Sequence, residues 1–144
     1  MGVIESVNVG TPREISWRGQ TVRTAIWKDP VAGPVKVGGH KVEGDEQGNP
    51  EVHGGPDKAV YAYAAEDYEW WGGELGQPLG PGTFGENLTL RGIDVSNALV
   101  GERWRTTRWD SFRLLTPNWL SRLPGWAYTG PDPDHFMTAG EFAD

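Results

Sequence analysis

The sequence predicts a mainly β domain with a barrel-like arrangement of strands and one or two short helices. Short apolar runs alternate with polar residues, and 21 glycines and 11 prolines, over a fifth of the 144 residues, separate these runs. Many short strands divided by such turn residues are typical of sandwiches and barrels. Only one segment has clear helical periodicity. The length suits about one domain with a single modest core.

The N-terminal third reads as a series of strands. "GVIESVNVG" alternates its valines and predicts the first strand. "REISWRG" and "QTVRTAIWK" predict a hairpin that turns at Arg18 and Gly19, because glycine tolerates the positive φ of a tight turn. "GPVKVGGHKVEGD" adds another alternating run, with Val35 and Val37 on one face.

The middle of the chain contains the predicted helix, between Asp57 and Leu75. Its apolar stripe follows a spacing of three and four residues, through Tyr61, Ala64, Tyr68, Trp71 and Leu75. The alternative is a strand at "AVYAY" followed by a shorter helix, "AEDYEWWGGEL". "ENLTLRGIDV" and the start of "NALVGERWR" predict further strands. After Arg105 the periodicity ends and four prolines follow, which predicts an irregular C-terminal tail.

Composition excludes several classes of function. A formal net charge of −7 repels a phosphate backbone, so we expect no nucleic-acid partner. No apolar run approaches the ~18 residues of a membrane span, and "MGVIESVNVG" lacks the features of a secretory signal. We therefore expect a cytoplasmic protein without a membrane partner. The absence of cysteine excludes disulfides, thiolate metal ligands and a cysteine nucleophile within these residues.

The segment "VHGGPDKAV" is the densest candidate for a binding site. It contains His53, Gly54, Gly55, Asp57 and Lys58. Glycines let backbone N–H groups converge on an anion, and His53 and Lys58 add donors. The alternative is a simple turn in which Asp57 caps the next helix.

Two further segments contain candidate polar groups. "GDEQGNPEVHGG" adds Asp45, Glu46 and Gln47 ahead of His53. Asp45, Glu46 and His53 would be ligands for a hard metal or zinc, or the cluster is only a solvated loop. "TFGENLTL" places Glu86 and Asn87 after Gly85. This polar pair would suit the donor and acceptor edges of a heterocycle, or it is only a surface strand start.

Taken together, "WRGQTVRTAIWKDPVAGPVKV", "VEGDEQGNPEVHGGPDKAVYAY" and "GTFGENLTLRGIDVSNALVGERWR" resemble the MOSC-domain family in its YiiM-like branch, over about residues 3–105. The resemblance implies a MOSC-like β-barrel and a molybdopterin-type molybdenum cofactor. It also implies reduction of N-hydroxylated compounds or sulfur transfer for the cofactor. The family pattern carries over to Lys28, Asp45, Gln47, His53, Gly54, Gly55, Asp57, Lys58, Gly85, Glu86 and Asn87.

The roles that follow from the resemblance are phosphate contacts for Lys28, Lys58 and the glycine amides. Glu86 and Asn87 would contact the pterin edge. Pyridoxal phosphate is sometimes ascribed to the family, and Lys58 or Lys28 would then form the Schiff base. Nothing in the sequence positions a partner for the ring nitrogen of that cofactor.

The sequence departs from the family pattern after "GERWR". The family continues with a strand and a "QPR-x-PC" type motif whose cysteine binds molybdenum, and neither is present here. The barrel is therefore predicted to be incomplete. Residues from about 100 to 144 instead resemble an internal fragment of a flavin-containing monooxygenase-like oxidoreductase, without the glycine fingerprint, so FAD binding is not expected.

These observations predict a truncated MOSC-like domain at residues 1–105, joined to a tail fragment at residues 106–144. The predicted function is an oxidoreductase or sulfur carrier impaired by the lack of the cysteine segment. The alternatives are a non-catalytic module that binds pterin or a small anion, and a non-functional chimeric fragment. The expected partners are a small-molecule cofactor and substrate and a redox partner. An open barrel edge would favour a homodimer.

Overall fold

The computed structural model describes residues 2–38, 41–53 and 60–99, and, beyond residue 100, the backbone of five short strands. Two helices are described, α1 at Pro50–His53 and α2 at Ala65–Leu75. The described strands, in chain order from β1 to β13, are Val3–Val9, Arg13–Trp17, Gln20–Thr24, Asp29–Pro30, Val35–Gly38, Lys41–Val42, Val60–Ala64, Leu88–Arg91, Arg103–Thr106, Trp109–Leu114, Trp126–Thr129, His135–Met137 and Gly140–Glu141.

The largest sheet is built around β1, β8 and β7. Seven strands follow the order β13-β1-β8-β7-β11-β10-β9, and β4 pairs with β1 in addition. β1 and β8 are antiparallel, with a register shift between Ile4 and Ser6, whereas β7 and β8 are parallel. The crossover between these two parallel strands contains α2, as parallel pairing requires a long connection.

Two smaller sheets complete the described structure. β5 lies between β12 and β6, and β2 and β3 form the hairpin predicted at Arg18 and Gly19. Both turn residues have positive φ, 51° and 79°, as a tight hairpin turn of this kind requires. The described strands form open sheets and do not close into a barrel. The prediction of a mainly β, incomplete barrel with one or two short helices is confirmed.

The core lies between the main sheet and the β5–β6 pair. It consists of small and branched side chains that are at most 6% exposed: Ile4, Val7, Val35, Val37, Val42, Val60, Ala62, Ala64, Leu88, Leu90 and Val95. Burial of this apolar surface is the main stabilising contribution that the described residues make. No helix in these described ranges has the length and apolarity needed to cross a membrane.

One sequence prediction needs correction. The long helical stripe is wrong, because Tyr61 and Ala64 lie in β7 and Leu75 is 54% exposed. The alternative of a strand followed by a shorter helix is the observed arrangement, because residues 62–64 pair with β8. Within the C-terminal tail, the described segments are short strands that pair with the edges of β1, β5 and β7.

Candidate polar site

A buried amide at the start of β8 connects three segments of the chain. The Asn87 backbone N–H donates to the carbonyl of Tyr61 at 2.7 Å, and its side-chain Oδ1 accepts from the Tyr61 N–H at 3.1 Å. Asn87 Nδ2 donates to the Asn8 carbonyl at 3.2 Å and to Asp45 Oδ2 at 2.9 Å. This one side chain therefore fixes β1, β7 and the turn at Asp45 relative to each other.

Asp45 also holds a buried ion pair. Its Oδ1 accepts from the Gly10 N–H at 2.9 Å and is paired with the Lys28 ammonium. The side chains of Lys28 and Asp45 are only 7% and 6% exposed. The backbone N–H of Lys28 donates to the Gly82 carbonyl at 3.1 Å, which ties this pair to the loop before β8. Buried charges of this kind are stable only when they are paired and hydrogen-bonded.

Glu86 is the second buried carboxylate, and it is fully inaccessible. Its Oε1 accepts three short hydrogen bonds, from Tyr68 Oη at 2.7 Å, the Gly82 N–H at 2.6 Å and Thr89 Oγ1 at 2.8 Å, and a longer one from Asn8 Nδ2 at 3.5 Å. Its Oε2 has no partner among the residues that the structure describes. Burial, and then the bond to Glu86, raise the pKa of the Tyr68 phenol well above its usual range. Tyr68 is therefore a proton donor to Glu86 at any physiological pH.

Two further polar side chains of β1 extend this network. Ser6 Oγ donates to Asn8 Oδ1 at 2.7 Å, and Asn8 Nδ2 donates to Thr89 Oγ1 at 3.1 Å. Asn8 Nδ2 also reaches the Glu86 carbonyl at 3.3 Å. Ser6 and Asn8 are 9% and 0% exposed. The network therefore runs without interruption from β1 through β8 to α2.

Glycines allow the loop before β8 to approach the segment around Lys28. Gly82 and Gly85 have φ values of 86° and 83°. A Cβ on Gly82 would lie 2.0 Å from the carbonyl oxygen of Lys28, and one on Gly85 would lie 3.1 Å from that of Ile26. Contacts of 2.0 Å are impossible for a real Cβ, so glycine at 82 is required for this geometry.

The structure brings together four of the predicted site residues, Lys28, Asp45, Glu86 and Asn87, with Gly85 beside them. The Lys28 ammonium, predicted to contact phosphate, contacts Asp45 here. Gln47 is half-buried two residues after Asp45. His53 ends α1, but its side chain lies outside the described residues, as do all of Gly54, Gly55, Asp57 and Lys58.

Sequence reasoning missed Ser6, Asn8, Tyr68 and Thr89. Period-two alternation assigns Ser6 and Asn8 to the face opposite Val7, which in a strand with one solvated side would be the solvent face. The structure buries both faces of β1 at this point. The sequence signal that could have identified them is two polar residues, Ser6 and Asn8, on the same face of an otherwise apolar strand. Tyr68 was assigned only to an apolar helical stripe.

The chemistry of this site suits hydrogen bonding better than metal coordination. Within the described ranges there is no group of three or more His, Cys, Asp or Glu side chains that would hold a metal ion. The sequence contains no cysteine to supply a soft thiolate ligand. Glu86 Oε2 has no partner among these residues, but it is buried and is not accessible to a ligand. The cluster is therefore suited to positioning a neighbouring binding loop for a molybdopterin-type cofactor, and within the described ranges it supplies no ligands for the metal.

Comparison with known proteins shows which family this chain resembles. Residues 49–118 match the MOSC domain profile. Over these residues the chain is similar to the MOSC domain family. The uncharacterized protein YflK of Bacillus subtilis is 40% identical over 100 residues, which is 69% of this chain and 45% of YflK.

The fold agrees with the YiiM-like branch of the family. The crystal structure of YiiM from Geobacillus stearothermophilus matches with a TM-score of 0.64 and 25% identity, covering 100% of this chain and 76% of that one. An uncharacterized CzcO-like oxidoreductase of Geobacillus kaustophilus is 49% identical over 59 residues, which is 41% of this chain and 16% of that protein. The chain spans less than half the length of the curated relatives that it matches.

Proposed function

We propose that this MOSC domain binds a molybdopterin-type cofactor and belongs to an oxidoreductase that reduces N-hydroxylated compounds, or to a sulfur carrier for the cofactor. One observation carries the proposal. Lys28, Asp45 and the Glu86–Asn87 pair come from three separate segments of the chain and meet in one buried polar cluster. Buried polar networks are costly unless they are fully paired, so their presence in a small domain favours a role beyond packing.

In this proposal, the cluster positions the cofactor-binding loop, and the loop makes the direct contacts. Asn87 hydrogen-bonds both backbone groups of Tyr61, the second residue of β7. β7 begins at Val60, two residues after Lys58 in the sequence. We therefore assign the phosphate contacts to His53, Lys58 and the amides of Gly54 and Gly55, with Asp57 ordering the loop.

Lys28 and Asp45 are then positioning residues, because each already satisfies the charge of the other. When bound, the cofactor supplies the redox or sulfur-transfer chemistry, and a redox partner supplies electrons in the first case. This chain contributes binding, orientation and the exclusion of water. No step is assigned to a metal, because the described residues do not provide its ligands.

The test is retention of pterin by the chain produced in a host that makes the cofactor. Bound pterin is released by oxidation and quantified by fluorescence in the parent, Lys58→Ala and Asn87→Ala. Lys58→Ala removes a charge-assisted hydrogen bond of ~1.5–3 kcal/mol, so we expect it to retain about tenfold less pterin. Asn87→Ala is also expected to retain less pterin, because it removes the side-chain hydrogen bond that holds Tyr61 at the start of β7. Asn97→Ala is the control, because its exposed side chain contacts Asp94 and lies outside the cluster.

Unchanged pterin retention in both variants would refute the proposal. Pterin retention without reduction of an N-hydroxylated purine would favour a non-catalytic pterin-binding module. A parent protein that retains no pterin and unfolds early and broadly on heating would favour a non-functional fragment. Thermal unfolding of each variant shows whether lost pterin reflects lost folding.

A further inference from the structure

A second concavity lies outside the polar cluster, between α2, the loop that follows it, and strands β1 and β8. The cleft has a volume of about 620 Å³. Cavities that bind small molecules typically measure about 300–1,000 Å³. The cleft is therefore large enough for a ligand with one or two rings.

The walls of this cleft are mainly apolar, and at one position the wall is backbone without a side chain. Ala65, Pro78, Leu79 and Pro81 contribute the apolar surface. Gly72, one turn before the end of α2, also lines the cleft, and a Cβ placed there meets only the Gln77 carbonyl oxygen, at 3.2 Å. The absence of a side chain at this point leaves room for a flat group against the helix.

Charged side chains at the cleft carry more negative than positive charge. Arg91 Nη2 lies 2.8 Å from Glu69 Oε1, its Nε is paired with Glu5, and its Nη1 is 4.0 Å from Glu66 Oε1. The bonds to Glu5 and Glu69 raise the pKa of Arg91 further, so it stays charged. An anion would have to displace carboxylates from this guanidinium, whereas a cation finds two cleft-lining carboxylates, Glu5 and Glu69, beside one positive charge.

A buried carboxylate lies directly behind the cleft wall. Tyr68 and Thr89 both line the cleft, and both donate to Glu86 Oε1, at 2.7 and 2.8 Å. The other oxygen of Glu86 has no partner in the described part of the chain. Unpaired buried acceptors are uncommon in native proteins. The negative charge on the cleft surface itself comes from Glu5 and Glu69.

We propose that this cleft binds a planar organic cation of the amidinium or protonated amino-heterocycle class. The flat ring lies against Leu79 and the prolines, over the bare backbone at Gly72. The N–H groups of the cation bind Glu5 and Glu69. This site goes beyond the proposed cofactor function and does not depend on it, because it is formed by different residues on α2, β1 and β8.

The test uses three probes of the same size and different charge: benzamidine, benzoate and benzyl alcohol. Binding to the full chain is measured by calorimetric titration. We expect benzamidine to bind at least about tenfold more tightly than benzoate, with benzyl alcohol between them. Glu69→Gln is expected to weaken benzamidine binding about threefold or more, because it removes a carboxylate that the cation contacts.

A matched pair of glycine variants locates the site. Gly72→Leu fills the cleft and is expected to abolish benzamidine binding. Gly73→Leu changes the same helix in the same way, but a Cβ at Gly73 meets no described atom within 4 Å and this residue is not part of the cleft lining. It should therefore bind benzamidine as the parent does. Tighter binding of benzoate, no benzamidine binding up to about 10 mM, or equal loss in both leucine variants would overturn the proposal.

Discussion

The buried pair of Lys28 and Asp45 gives the sharpest prediction for stability. Asp45→Asn keeps the shape of the side chain and removes its charge. Both side chains are almost inaccessible, at 7% and 6%, so little solvent is available to replace the lost charge. The Asp45 carboxylate accepts hydrogen bonds from Gly10, Lys28 and Asn87 through its two oxygens. The amide of the variant has only one oxygen, so it cannot accept all three of these hydrogen bonds.

The expected loss is large because a charged partner is left buried. Removing one member of a buried ion pair costs about 3–5 kcal/mol. With a urea dependence of about 1–3 kcal/mol/M, the midpoint of unfolding is expected to fall by about 2 M. Unfolding is followed by tryptophan fluorescence, which the eight tryptophans make sensitive.

A double variant separates the ion pair from other effects of the substitution. Lys28→Met together with Asp45→Asn removes the stranded ammonium and is expected to recover about 2 kcal/mol relative to Asp45→Asn alone. Asp29→Asn, at an exposed position, is the control and should stay within about 0.5 kcal/mol of the parent. A loss under about 1 kcal/mol for Asp45→Asn, or no recovery in the double variant, would refute the reasoning.

Three other predictions concern the same network. Gly82→Ala should destabilise the fold by about 3 kcal/mol or more, because its Cβ would overlap the carbonyl oxygen of Lys28. Gly80→Ala has open space around its Cβ and should be nearly neutral. Similar urea midpoints for the two variants would contradict this prediction. Glu86→Gln should lower the free energy of unfolding by under about 1 kcal/mol, because the amide oxygen still accepts the three short hydrogen bonds. Glu86→Ala should lower it by about 3 kcal/mol, because the three donors are left unpaired. Equal losses in the two variants would contradict this geometry. The raised pKa of Tyr68 predicts that the free energy of unfolding falls as pH rises above 10.0, where the unfolded phenol ionises and the folded one does not. In Tyr68→Phe the urea midpoint should decrease less steeply between pH 8 and 11 than in the parent. The same slope in both proteins would contradict this prediction.

The sequence predicted those elements whose signals are local. β1, the β2–β3 hairpin, β5 and β8 all follow from alternation and turn residues within a few positions. The boundary between β7 and α2 was left open, because "AVYAY" satisfies both periodicities. Pairing with β8 decides it in favour of a strand, and that partner lies 26 residues away in the sequence, from Ala62 to Leu88.

The sequence predicted several residues of the site but not the contacts between them, because those contacts also join distant segments. Lys28, Asp45, Glu86 and Asn87 were singled out by their segments, but periodicity does not show that they contact one another. Their contacts depend on tertiary packing, in which Gly82 lets the loop before β8 approach Lys28. The burial of Asn8 depends in the same way on Glu86 and Thr89, which are distant in the sequence.

The pairing of β1 has a consequence for the order in which the fold assembles during synthesis. β1 leaves the ribosome before β8 and β13, yet Val3 pairs with Arg91 and with Glu141, which are made much later. Contacts between such distant residues form slowly, because a long loop must close before they add stability. Until β8 is made, β1 has only the two-residue strand β4 as a described partner, and its apolar edge is open to other chains. Yield of folded protein should therefore depend on the speed of translation and on chaperones more strongly than stability at equilibrium does.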